Sequence, residues 1–142
     1  MEDRVLYAQE LFKKGYVCSQ AVFASFAPSY GIDEVAALKV ANGFGGGIAR
    51  RQDICGAVSG AIMLIGLKYG KTQSNDSKSH EKTYAVIENF CNRFEEKNKS
   101  IQCREILGCD MSTAKDRDLF STVCLKCVRD SAEIISELLK RE

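Results

Sequence analysis

The chain has 142 residues, 45% of them hydrophobic and 27% charged, which suits one domain spanning residues 1–142 that buries roughly two-thirds of its unfolded surface. Twenty Lys+Arg against nineteen Asp+Glu leave a formal charge of +1, so nothing points to a nucleic-acid or polybasic membrane partner. The opening "MEDRVLYAQELFKKG" has no apolar core before a small-residue cleavage site, and the longest uncharged run, Ile54 to Leu67, is shorter than the ~20 residues a bilayer needs. The expectation is a soluble, cytoplasmic protein with no membrane insertion.

The hydrophobic periodicity is helical nearly throughout, with no run of alternating residues. A first helix is expected over Glu2 to Lys14, with Val5, Ala8, Leu11 and Phe12 on one face and Gly15 at its end. A second starts near Cys18 and stops around Tyr30-Gly31. Asp33 caps a third, "EVAALKVANGF", which dissolves into Gly45-Gly46-Gly47. Asp53 is the expected cap of a fourth, Ile54 to about Tyr69, closed by Gly70. After the polar loop "KTQSNDSKSH", a fifth helix runs from about His80 to Lys97, with Tyr84, Ile87, Phe90, Cys91 and Phe94 on one side. A short helical turn follows Ser100, and the last helix runs from Lys115 or Ser121 to Arg141. The fold class is therefore all-α, a compact bundle of five or six helices. Gly56, Ala57, Ser59, Gly60 and Ala61 make the fourth a small-residue helix, expected to be central and buried. That face would let another helix, or its own copy in a homodimer, pack closely.

Seven cysteines in such a chain point to thiol chemistry. The number is odd and no export signal precedes them, so metal, iron–sulfur or catalytic redox roles outrank structural disulfides. Four lie at expected helix starts: Cys18, Cys55, Cys103 and Cys124. There the unpaired amides and the positive dipole end favour a thiolate or an anionic metal–sulfide core. Cys91 interrupts an apolar stripe and reads as a small core residue. Cys109 follows a helix-ending glycine and reads as a loop residue. Cys124 and Cys127 form "CLKC", which lacks the preceding strand of a thioredoxin-type site and the second pair of a zinc ribbon. The single histidine, His80, borders the polar loop and reads as a solvated side chain.

"NGFGGGIARRQD" lacks the third glycine of a dinucleotide loop and the Gly-Lys-Ser/Thr of a Walker loop. It can still act locally. Gly45, Gly46 and Gly47 let backbone amides approach a bound group, and Arg50 and Arg51, four or five residues before Cys55, would lower its pKa and hold anionic sulfur species.

"GYVCSQAVFASFA", "FGGGIARRQDICGAVSGAIMLIGLKYG", "CREILGCD" and "CVRDSAEII" together resemble the C_GCAxxG_C_C family of redox-active proteins, over about Leu6 to Ile135. The signature Cys-Gly-Ala-x-x-Gly falls on Cys55 to Gly60. The resemblance puts the four shared cysteines on Cys18, Cys55, Cys103 and one of the final pair, with Cys124 the better fit by the residues that follow it. It implies a redox role, often near transporter genes, and hence an unidentified redox partner that could be transporter-associated.

Three functions follow as expectations. In the first, Cys18, Cys55, Cys103 and Cys124 converge as metal ligands, most naturally for an iron–sulfur cluster. In the alternative the chain needs no cofactor: it is a thiol–disulfide protein with Cys55, and Cys18 as second candidate, in the catalytic role. In the third it is a helical binding protein whose cysteines only pack.

Overall fold

The computed structural model describes residues 3–140, and eight helices build it. Asp3 caps α1, Arg4–Lys13, by accepting from the Leu6 amide. Helix α2, Cys18–Phe26, opens on a cysteine; the Gln20 side chain accepts from the Val17 amide just before it. A 3-10 turn over Ala27–Tyr30 leads to α3, Glu34–Ala41, capped by Asp33 as its sequence predicts. Helices α4, Gly56–Tyr69, and α5, Ser77–Asn98, follow. Two short helices, α6 over Cys103–Leu107 and α7 over Met111–Asp116, precede a π-helical turn, Phe120–Cys124, that runs into α8, Leu125–Lys140. Among the described residues no strand forms, and the one extended pairing is an isolated antiparallel bridge between Ile54 and Gln102.

The architecture is all-α, with more helices than the five or six expected. The difference lies between Ser100 and Phe120, where the left-handed Gly108 (φ +71°) ends α6. Asp110 then starts a separate helix by accepting from the Thr113 amide at 2.8 Å. Similarly, α5 begins at Ser77 rather than near His80, because Asp76 caps it through the Ser79 amide and hydroxyl. Tyr84, expected on the apolar side, is 60% exposed and leans on His80 instead.

The core lies where α2, α4, α5 and α8 meet, around Val58, Leu64, Ile65, Phe90, Phe94, Val128, Ile134 and Ile135, all nearly inaccessible. The small face of α4 is taken up by α2. A Cβ on Gly60 would come within 3.0 Å of the Ser19 carbonyl oxygen and 3.2 Å of Val22 Cβ, so the two backbones approach more closely than a larger residue allows. That stripe is thus used inside the chain rather than left for a second copy. Ile62 and Met63, in the apolar run of the same helix, are only half-buried. Ser131 on α8 donates to the Ala57 carbonyl at 2.8 Å. This contact ties the first turn of α4 to the segment that carries Cys127.

Candidate functional site: a cavity lined by five thiols

Cys55 is itself the N-cap of α4 (φ −54°, ψ 133°); the expected cap, Asp53, is not. The reason is the bridge to residues 101–104. The Cys55 amide donates to the Ile101 carbonyl at 2.7 Å, and the Cys103 amide donates to the Asp53 carbonyl at 2.7 Å. Extended backbone at 53–54 delays the helix by two residues and sets Cys55 beside Cys103. The Asp53 carboxylate is used elsewhere, against Arg51 at 3.2 Å and Arg104 at 3.4 Å. Cys18 arrives from the first turn of α2, whose crossing with α4 is held close by Gly56 and Gly60. Cys124 ends the π turn, rather than starting a helix as its sequence suggests, and Cys127 follows in the first turn of α8.

These five thiols line one cavity of about 880 Å³. That lies within the range of small-molecule sites. Much of the remaining wall is apolar, including Phe12, Tyr16, Leu107, Met111 and Phe120. Cys91 and Cys109 stand apart from it. Cys91 is half-buried against the main core, and the Cys109 carbonyl, just past α6, accepts from Gln52 Nε2 at 2.8 Å.

The glycine loop forms another part of the wall, and it is not a slack turn. Gly46, Gly47, Ile48, Ala49 and Arg50 all have φ between +49° and +69°, a continuous left-handed stretch. It is closed by the Gln52 amide on the Gly46 carbonyl at 3.0 Å and the Asp53 amide on the Gly47 carbonyl at 2.9 Å. Left-handed backbone costs about 1–2 kcal/mol for each residue that carries a Cβ. A β-branched residue such as Ile48 is a marked outlier there. Such strain gathers where surrounding structure enforces a geometry that function requires. Gly45, Gly46, Gly47 and Arg50 all face the cavity, whereas Arg51 is outside it and paired to Asp53.

The sulfurs differ electrostatically. Cys55 is held below the ordinary thiol range, first by a hydrogen bond from Cys127 and then by the Ala57 and Val58 amides of α4, which outweigh burial. The arginines expected to do this are not the cause. Cys127 goes the other way, pushed up by its bond to Cys55 and by burial, so that Cys55 is the first of the two to lose its proton. Cys18 is likewise pushed well up, by Cys124 and by burial. Burial pushes Cys103 up to about 12.

The Cys103 shift has a measurable consequence for stability. An unfolded thiol near pKa 8.5 loses its proton as pH rises past 9, while the folded one keeps it to about 12. The folded state then binds more protons than the unfolded one, so stability falls across that window. Urea midpoints should drop from pH 8 to pH 10.5, and Cys103→Ser should flatten that drop. An unchanged slope in the variant would refute this account of Cys103.

A family model with the description "Putative redox-active protein (C_GCAxxG_C_C)" matches residues 16–138. The chain belongs to that family. No curated protein and no solved structure matches it. Of the C_GCAxxG_C_C signature, Cys55 caps α4, Gly56 lets α2 come close, and Gly60 extends that contact. Sequence reasoning left Cys124 and Cys127 as alternatives for one place, and the cavity takes both. It missed Asn98, which holds Cys127 from behind. An asparagine closing a helix otherwise reads as an ordinary C-terminal residue, so no sequence signal marks it.

Among the described residues, no three His, Cys, Asp or Glu side chains are grouped to hold a metal ion, and no helix is long and apolar enough to cross a membrane.

Proposed function

We propose that this member of the family is a thiol–disulfide redox protein in which Cys55 is the reacting thiolate. The observation that carries the reading is that Cys55 caps the amide-rich start of α4 and shares one cavity with Cys127. A helix N-terminus and a neighbouring proton donor are the means by which proteins ionise a thiol near neutral pH. The Cys55 thiolate attacks one sulfur of a small organic disulfide. The S–S bond breaks, one thiolate departs, and a mixed disulfide remains on Cys55. A second protein thiol then displaces the other half. Overall the protein loses two electrons and two protons to the substrate, which leaves as two thiols. The apolar walls suit a compact organic body, and the left-handed glycine loop brings bare backbone at Gly45, Gly46 and Gly47 to one side of it.

A second reading rests on a different observation. Cys18, Cys55, Cys103 and Cys124 line the same cavity, and an all-sulfur donor set of four is the chemistry an iron–sulfur core takes. In that case these four cysteines would hold the cluster, and the cluster would supply one-electron transfer. The amides of α4 and the Cys127 thiol would then hydrogen-bond or surround the ligand sulfurs rather than activate a nucleophile.

The two readings separate in one experiment. Protein isolated without oxygen and stripped with a chelator is assayed for reduction of a small aromatic disulfide, alongside protein reconstituted with iron and sulfide. The thiol reading expects full turnover of one equivalent by the stripped protein. If the stripped protein is inert while reconstituted protein shows charge-transfer absorbance and reversible reduction, the cluster reading replaces it.

A further inference from the structure

Behind the cavity lies a buried polar group that neither the family signature nor the chemistry above accounts for. Asn98 ends α5 and is 8% exposed. Its Oδ1 accepts from Cys127 Sγ at 3.7 Å and from Lys126 Nζ at 3.0 Å. Its Nδ2 donates to the Phe94 carbonyl and to Asp130 Oδ2, both at 3.3 Å. Asp130, only 3% exposed, also takes Lys126 Nζ at 2.8 Å and lies 3.7 Å from Arg129 Nε. Reversing the amide would turn its NH2 toward the Lys126 ammonium and its oxygen toward the Asp130 carboxylate. The orientation is therefore fixed by charge on both sides. The thiol that this assembly grips, Cys127, is 1% exposed and lines the same cavity as Cys55.

We infer that Cys127 is the resolving cysteine for Cys55, and that Asn98, locked by Lys126 and Asp130, is the residue that positions it. This rests on the thiol–disulfide reading given above. Cys127 is too buried to meet a substrate directly, yet the Ser131–Ala57 bond holds its helix against the first turn of α4, where Cys55 sits in the same cavity wall. The step balances without a further reagent. Cys127 Sγ attacks Cys55 Sγ, the Cys55–substrate S–S bond breaks, and the departing thiolate takes the Cys127 proton. A Cys55–Cys127 disulfide and a free substrate thiol result. Asn98 supplies the acceptor that keeps the Cys127 side chain in one rotamer until the mixed disulfide forms.

The test uses the full chain carrying Cys91→Ser and Cys109→Ser, both outside the cavity, reduced and then mixed with one equivalent of dithiobis(nitrobenzoate). Release of nitrothiobenzoate is followed in time, and peptides are mapped without reduction. The expected result is two thiols released per protein and a Cys55–Cys127 cross-link. Cys127→Ser, a one-atom change, should release one and hold the other as a lasting adduct on Cys55. Asn98→Ala should slow the second release by about tenfold or more, and far more than it slows the first, a split that general loosening of the fold would not give. If Cys127→Ser still closes a disulfide on Cys55 at the parental rate, Cys127 is not the resolving thiol. If Asn98→Ala slows both releases equally, Asn98 is not a positioning residue. If Cys55 never carries the adduct, the underlying reading itself fails, and that outcome is distinct from the other two.

Discussion

Cys55→Ser is expected to abolish reduction of a small organic disulfide while the helical fold survives. Serine preserves the side chain's size at a site that is 6% exposed, so the cost to stability should stay near the ~1 kcal/mol typical of single substitutions. The chemical cost is far larger, because a hydroxyl has no anionic form near neutral pH. The wild-type advantage comes from ionisation. An ordinary thiol is only a few per cent thiolate at pH 7, so lowering its pKa can raise the reactive fraction by up to about 30-fold. Part of that gain is lost to the weaker nucleophilicity of a more acidic thiol. Iodoacetamide labelling of Cys55 against pH measures the effect. The midpoint should lie below the ordinary value of about 8.5 and move upward in Cys127→Ala, which removes the hydrogen bond that contributes most. A midpoint at or above the ordinary value would contradict the electrostatic picture.

Gly47→Ala should be the most disruptive single-methyl change around the cavity. The residue sits at φ +67°, and an added Cβ would lie 2.6 Å from the Asp53 amide nitrogen and 2.7 Å from Gln52 Cα. Both are backbone atoms, so neither can rotate away. Left-handed strain of about 1–2 kcal/mol adds to an overpacking cost of about 1–3 kcal/mol, giving a loss of about 2–5 kcal/mol in urea titration. The damage should reach the site as well. Asp53 and Gln52 carry the carbonyls that receive the Cys103 and Arg104 amides, so moving them separates Cys103 from Cys55. A melting curve within 0.5 kcal/mol of wild type, the range expected of ordinary surface changes, would mean that the turn is not held as described.

The helical class and the Asp33 cap were legible from residue order, and the four cysteines singled out there are among the five that line the cavity. These are local signals, or a spacing pattern shared by a family. The start of α4 was not legible. Asp53 is a good cap by type, but a bridge to Gln102, some fifty residues away, holds it extended. Tertiary pairing overrode local preference there. The glycine run looked like slack and is instead wound left-handed, because hydrogen bonds from Gln52 and Asp53 close it. Residue type alone does not predict Ile48 at φ +69°. In the "CLKC" string the residues that follow favoured Cys124, and nothing marked Cys127 as a second cavity thiol. What separates them is the π turn ending at Cys124, together with Asn98 and Asp130, which reach Cys127 and its neighbour Lys126 from behind. Likewise, the sign of each thiol's shift depends on its burial and its neighbours, a fact of packing rather than of sequence.

The most direct test of the thiol-centred account is a map of cysteine pairing at equilibrium. Metal-free full-length protein is held in glutathione buffers of graded potential, quenched in acid, alkylated and digested without reduction. The account predicts one two-electron transition in which a disulfide forms on Cys55 while Cys91 and Cys109 stay free thiols. Oxidation confined to Cys91 and Cys109, with Cys55 reduced throughout, would contradict it.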